Sequence, residues 1–225
     1  MSTEFDSFDG SALGEFIESP LGERNAPEKR VLIWPIDFSD QVRALYESMG
    51  LHVDTPGHGW TGKASDYGLI LFNLPGARSD AAAMYANIIE GMSAPGRVFF
   101  SVDYEMTPGE WGGFQLGTFK WQFGSYFIRL ESAGHALSAG NFDTGVGIVR
   151  VDELIGGVPV YRDGTPDPTT GVITHVPIIS AIRAHGVEWV GAMPDAYIIV
   201  PGYTPNPMPP LNFLRNLWNV PGPQS

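Results

Sequence analysis

Two kinds of hydrophobic pattern alternate through the first half of the chain. VLIW (31–34), LHVDT (51–55), GLILFNL (68–74) and RVFFSVD (97–103) are short, nearly continuous apolar runs, the composition of strands buried on both faces of a sheet. Between them the apolar positions fall at helical spacing. Val42, Leu45, Tyr46 and Met49 do so in DQVRALYESMG, with Ser39 placed as a cap and Gly50 as a stop. Ala82, Tyr85, Ile88 and Ile89 do so in DAAAMYANIIEGM, opened by Ser79 or Asp80 and closed by Gly91 and Pro95. Strands and helices alternating at this spacing predict right-handed crossovers and an α/β fold, a doubly wound and mostly parallel sheet.

After residue 104 the pattern loosens. EWGGFQLGTFKWQFG is aromatic and glycine-rich, while SYFIRLE (125–131), GIVRVDEL, GVPVYRDG and GVITHVPII read as strands joined by turns such as DGTPDPTTG. ISAIRAHG reads as a short helix ending at Gly186, and AYIIVPG as a last buried strand. This half is a β-rich elaboration of the sheet. The expected organisation is one domain over residues 30–200 flanked by two arms. The N-terminal arm, residues 1–29, sets seven acids and two bases around Phe5, Phe8, Phe16 and Ile17. The C-terminal arm, residues 201–225, is rich in proline and regular only around LNFLRNLW. Large apolar side chains in otherwise polar arms predict contacts with another subunit or protein through Phe5, Phe8, Phe16, Phe213, Leu214 and Trp218.

Charge and cysteine content narrow the function classes. The 225 residues carry 13 basic against 25 acidic side chains, a net charge of -12, which repels nucleic acid and anionic lipid. No apolar run approaches the roughly 20 residues of a membrane span, and the acidic start MSTEFDSFDG lacks the features of a secretory signal, so a cytoplasmic protein, or one assembled into a particle made there, is expected. The chain has no cysteine, which removes disulfides, thiolate metal sites and cysteine nucleophiles.

One stretch imitates a phosphate-binding loop. PGHGWTGKA (56–64), followed by Ser65, has Gly57, Gly62 and Lys63 at nearly the required spacing. Ala64 stands where the magnesium-holding hydroxyl belongs, and only a few residues separate Lys63 from the apolar run GLILF. A helix whose N-terminus would face the phosphate has no room there, so an ordinary glycine-rich connection is expected and no nucleotide cofactor.

Ligands of open parallel sheets sit beyond the carboxyl ends of the strands. That places Asp37, His58, Trp60, Asn73, Asp103 and Glu105 around one crevice. Asp103, Glu105 and His58 are the candidate catalytic or cation-binding set, and Asp37, Trp60 and Asn73 the candidate ligand contacts. The competing reading is that carboxylates following strands cap helices and turns. His135, His175 and His185 have no acidic partner nearby in sequence, and no nucleophile elbow or dinucleotide fingerprint occurs. The aromatic series Trp111, Phe114, Phe119, Trp121, Phe123, Tyr126, Phe127 reads as core or interface.

The order VLIW, helix, LHVDT, glycine-rich loop, GLILFNL, helix, GRVFFSVDYE resembles the first half of the class I glutamine-amidotransferase-like fold, a flavodoxin-like sheet. HALSAG (135–140), with VRVDEL beyond it, is similar to the H-x-h-x-x-G segment of trehalose-utilisation-type members of that superfamily. The resemblance spans residues 30 to 155 and implies the fold. The cysteine elbow of the family's amidotransferases is absent, so it does not imply their reaction. Three readings follow: a non-catalytic binding or assembly protein, for instance a component of a larger particle such as a virion, forming homo-oligomers or binding a protein partner; a hydrolase or lyase using the crevice; and a small-molecule binding module using it without chemistry.

Overall fold

The computed structural model describes residues 29–34, 40–56, 59–73, 81–91, 96–101, 109–116, 120–138, 142–150, 154–167, 169–173, 175, 177–192 and 211–220. Its framework is a nine-stranded sheet. One half holds β1 (Arg30–Trp34), β2 (His52–Asp54), β3 (Leu69–Asn73) and β4 (Arg97–Ser101), joined from late in the chain by β12 (Val187–Ala192). The other holds β7 (Lys120–Ser132), β8 (Phe142–Arg150), β10 (Val158–Asp163) and β11 (Pro177–Ala184). The strand order is β2-β1-β3-β4-β12-β11-β10-β7-β8. A small sheet adds β5 (Gly109–Trp111), β6 (Phe114–Leu116) and β9 (Leu154–Ile155), and the helices are α1 (Asp40–Ser48), α2 (Ala81–Gly91) and α3 (Leu211–Asn219). Pairings from β2 through β12 are parallel, and those from β12 through β8 antiparallel. The α/β expectation holds, with parallel order confined to the half that the apolar runs foretold.

The inner parallel strands β1, β3, β4 and β12 are buried on both faces because successive side chains alternate, while β2 at the edge is partly exposed. Val31, Ile33, Leu69, Leu71, Phe99 and Val190 enter one core with Val42, Leu45 and Tyr46 of α1 and Phe213, Leu214 and Leu217 of α3. Leu32, Trp34, Ile70, Val98, Phe100 and Trp189 enter the opposite core with Met84 and Ile88 of α2 and Phe114 of β6. The 32 fully or nearly buried apolar residues of the described chain divide between these two layers, so the sheet is the middle of a three-layer sandwich.

Several expectations are corrected. ISAIRAHG is the end of β11 and a turn, not a helix. Ala184 pairs with Val187, and the two residues between them, His185 and Gly186, have φ of 53° and 75°, the doubly positive pair that closes a tight hairpin in register with strand twist. With β10 on one side and β12 on the other, ladder bonding overrides local helical preference. β12 (VEWVGA) was not foreseen, because Glu188 and Gly191 break its apolar run, yet it lies at the centre of the sheet. GVITHVPII is split: Ile173 makes a lone bridge to Pro166, and β11 begins at Pro177. AYIIVPG lies outside the described residues.

The phosphate-loop imitation resolves as a packed connection. Lys63 precedes a single 3₁₀ turn, Ala64–Asp66, after which Tyr67 and Gly68 lead directly into β3. Asn87 of α2 pins this turn: its amide nitrogen donates to the Gly62 carbonyl at 2.8 Å and its oxygen accepts the Ala64 N–H at 2.8 Å. A Cβ on Gly62 would lie 2.4 Å from Trp60 Nε1, so only glycine lets the indole fold over the backbone here. Where a crossover helix would cover this face, Ala64, Tyr67 and Trp60 fill the space instead.

Candidate functional site

The sequence places its candidate chemistry beyond the carboxyl ends of β1, β3 and β4. The chain leaves β1 for β2 on one side and β3 for β4 on the other, so the direction reverses between β1 and β3, which is where sheets of this kind open a crevice. Asn73 is the last residue of β3, paired with Ser101 at the end of β4, and therefore borders that crevice. Asp37, His58, Asp103 and Glu105 lie outside the described residues. Trp60 packs edge-on against Tyr67, with ring centroids 5.9 Å apart; Tyr67 immediately precedes β3, so this indole sits toward the amino end of the strand. Among the described residues no group of three or more His, Asp or Glu side chains could hold a metal ion.

The C-terminal arm corrects an expectation outright. Phe213 and Leu214, expected to meet another subunit, are 0% exposed within their own chain, and Trp218 packs at the edge of the same core. Phe213 meets Phe99 and Tyr161 edge-to-face at 5.6 and 5.8 Å. The physical reason is that LNFLRNLW, once helical, has one apolar stripe, and the sheet face beside α1 needs a cover. Phe5, Phe8 and Phe16 lie outside the described residues.

A buried polar clamp holds α3 in place. Arg97, 1% exposed at the start of β4, donates from Nε to Glu188 Oε2 at 2.6 Å, with Nη2 2.5 Å from the same oxygen. The same guanidinium also donates to the carbonyls of Asn216 (3.3 Å), Leu217 and Val220 (2.7 Å) at the C-terminus of α3. The Asn216 carbonyl also accepts the Val220 N–H at 3.0 Å, and a cation at this end suits the helix dipole. Burial lowers the Arg97 pKa, and the charge and hydrogen bond of Glu188 oppose that shift. Tyr46, wholly buried and with its pKa raised by burial, donates to the Leu214 carbonyl at 2.8 Å, and Asn216 donates to the Leu137 carbonyl at 3.0 Å. Sequence reading did not single out Arg97 or Glu188. Each is a charge near the start of an otherwise apolar strand, and the register that sets them face to face is decided by strand order.

Folding also supplies partners that sequence spacing hid. His175 Nδ1 lies 3.2 Å from Glu131, and His185 Nε2 4.0 Å from Glu110. His135 Nδ1 accepts the Leu137 N–H at 3.0 Å, and burial lowers its pKa, favouring the neutral ring. At the β2 edge, Asp54 accepts Arg30 Nη2 at 2.6 Å and lies 3.1 Å from His52 Nε2. Burial works to raise the Asp54 pKa, but hydrogen bonds from Arg30 and Tyr67 and the nearby positive groups outweigh it and lower the value. Tyr67 is pushed up to about 12, by burial first and then by Asp54. These groups tie β1, β2 and the approach to β3 together.

The remaining feature is a β-ribbon. β7 and β8 pair from Lys120↔Arg150 to Leu130↔Phe142, and β6 and β9 pair at Leu116↔Leu154 in the same register as Lys120↔Arg150 and Trp121↔Val149. The small sheet and the long hairpin thus share one register, with residues 117–119 and 151–153 between them outside the described residues. Their outer ends are anchored on opposite faces. Leu130 belongs to the α1–α3 core, and Leu130–Ser132 pair with Asp163–Tyr161. Phe114 belongs to the α2 core, against Gly157, where an added Cβ would be 2.9 Å from its ring. Gly157 and Asp163 are six residues apart, roughly 20 Å, whereas Lys120–Leu130 alone spans about 33 Å when extended. Lys120–Ile128 and the β8 residues paired with them lie beyond the stretch of β7 that pairs with β10 and are termed the arch. The register shifts between Trp121 and Ser125, where β7 has two more residues than β8, an irregularity of the kind that bends a strand. Among the described residues, Lys120–Ile128 pair with β8 alone and β8 pairs with β7 alone. The aromatic series divides accordingly: Trp111 and Phe114 join the α2 core, while Trp121, Phe123, Tyr126 and Phe127 belong to the arch.

No protein-family model and no curated protein matches the sequence. Among solved structures, a ThuA-like protein from Parabacteroides merdae ATCC 43184 is similar with a TM-score of 0.51 at 12% identity, over 84% of this chain and 87% of that one. That neighbour has a class I glutamine-amidotransferase-like fold, and the likeness concerns the fold alone. An exo-β-1,4-mannosidase from Opitutaceae bacterium strain TAV5 (TM-score 0.46, 12% identity, 74% of this chain) and a GH42 β-galactosidase from G. stearothermophilus (0.42, 8%, 73%) are more distant. The chain spans about a third of the length of those two glycosidases, 31% and 27%.

Proposed function

We propose that this is a non-catalytic binding and assembly protein, built on a flavodoxin-like, class I glutamine-amidotransferase-like sheet and working in the cytoplasm or in a particle assembled there, such as a virion. One observation carries the reading: the arch of β7 and β8 leaves both outer ladder edges without a strand partner among the described residues. A long two-stranded ribbon is marginal in water, and an open edge is a template for another strand. Natural edges are blunted by charge, proline or brevity. β8 is nine residues, FDTGVGIVR, with Asp143 and Arg150 as its only charges and no proline. Partner binding completes such a ribbon by main-chain hydrogen bonds. The ThuA-like neighbour supports the lineage of the sheet and the missing cysteine elbow supports a role without amidotransferase chemistry. Light scattering on a sizing column tests the reading. The expected mass of the full chain is a multiple of 24.4 kDa, and a monomer at every concentration that also captures no partner through the arch overturns it.

A further inference from the structure

We infer that His135 is the trigger of an acid-sensitive latch on α3, closed while the imidazole is neutral and loosened when Nδ1 takes a proton. The latch stands apart from the assembly reading, since a monomer would carry it equally. A chain of hydrogen bonds runs from the ring to the helix. His135 Nδ1 accepts the Leu137 N–H at 3.0 Å, and the Leu137 carbonyl accepts Asn216 Nδ2 of α3 at 3.0 Å. Leu137 is fully buried and belongs to the core that Phe213, Leu214 and Leu217 of α3 complete. One residue therefore joins the imidazole to the helix through its N–H, its carbonyl and its side chain. A protonated ring carries hydrogen on both nitrogens and accepts nothing, so the Leu137 N–H loses its partner and faces another donor.

The charges around the ring act on the same helix. Burial disfavours the proton most, Glu188 of β12 favours it and Arg97 of β4 disfavours it, with a lowered pKa as the balance. Those two side chains also form the clamp on the last turn of α3, through the carbonyls of Asn216, Leu217 and Val220. An imidazolium sets a second cation beside Arg97 and draws on the carboxylate that holds it. From α3 comes the neutral Asn216, while Arg215 is exposed. From α1 comes Tyr46, kept a neutral donor to the Leu214 carbonyl by burial, and from β10 the Val160 carbonyl, which accepts the Ala133 N–H. The ring itself is only partly buried, so protons reach it from solvent. With the folded value below the ordinary 6.5, the latch is fully closed above pH 6.5 and loosens as pH falls through the lower value.

Hydrogen exchange of the full chain, corrected for intrinsic rates and followed from about pH 8 to about pH 5, tests this. Protection of the amides of residues 215–220 is expected to fall at least about threefold on acidification while that of β1, β3 and β4 is unchanged. His135→Asn supplies an acceptor oxygen that does not titrate, and is expected to keep the neutral-pH protection within about twofold and to remove the fall. Asn216→Ala is expected to lower α3 protection at neutral pH and to flatten its pH dependence, because the effect of the proton no longer passes through Leu137 to the helix. A purely structural His135 would change protection equally at every pH. A fall that persists undiminished in His135→Asn, no fall in the unaltered chain, or an equal loss in β1, β3 and β4 overturns the inference. Should His135→Asn fold poorly, the proton resonances of the His135 ring in the unaltered chain decide: a titration midpoint coinciding with the loss of α3 protection supports the latch, and one displaced by more than about a pH unit overturns it.

Discussion

The two halves of the sheet bury their strands in different ways. In the parallel half, β1, β3, β4 and β12 are covered on both faces, and every layer is completed by a helix from the same chain. In the antiparallel half, β11 and β10 enter the cores through Ile179, Ala181, Val160 and Tyr161, and β7 joins them through Leu130. Exposed large apolar side chains follow the same division, with Ile155, Val158 and Val172 each near 60% exposed and all in this half. Stability is thus concentrated where the strands are short and parallel, and surface that can serve a partner where they are long and antiparallel.

Hydrogen exchange should show the largest contrast. Amides of β1, β3, β4 and β12 are expected to open only with global unfolding, at about 5–15 kcal/mol, and those of β7 and β8 between Lys120 and Ile128 at a small fraction of it. Equal protection in the isolated monomer would erase the comparison. Next in size is the clamp. Arg97→Ala leaves Glu188 buried and unpaired and should cost about 3–5 kcal/mol in denaturant midpoint analysis, whereas the double change Arg97→Met with Glu188→Leu should recover much of it. If the double variant is no better than the single one, the loss of the α3 carbonyl partners is the larger effect. Gly112→Ala should cost about 1–3 kcal/mol, because its φ is +57° and the new methyl would meet the Trp189 ring at 2.3 Å. Tyr46→Phe should cost about 1–3 kcal/mol by leaving the Leu214 carbonyl without its partner. Smallest is a pH effect. His135 has a lowered folded pKa, so its contribution is complete above the ordinary value of 6.5 and is lost as pH falls through the lower folded value. His135→Asn should flatten that acid-side decline in melting temperature; an unchanged slope assigns the decline to other groups.

What was legible in the chain follows the same division. The runs VLIW, GLILFNL and RVFFSVD announced their strands because burial on both faces demands continuous apolar residues, and the stops at Gly50 and Gly91 bounded their helices. The loop at Gly62–Lys63 has no room for a crossover helix, since five residues to a strand is a length constraint that sequence states directly. The crevice residues Asp37, His58, Asp103 and Glu105 remain an expectation of strand-end geometry, with only Asn73 located at its edge.

The sequence by itself determined local periodicity, the absence of thiol chemistry, the acidic balance and the short apolar strands β1, β3 and β4, all of which depend on neighbours within a few residues or on composition. Tertiary structure alone decided the rest. Whether Pro177–Ala184 is helix or strand depends on β10 and β12 at its flanks. Whether Phe213 and Leu214 meet a partner or their own core depends on which sheet face lacks a cover. That Arg97 finds Glu188 across 91 residues, and the carbonyls of α3 across about 120, depends on strand order, and strand order is a property of the whole chain.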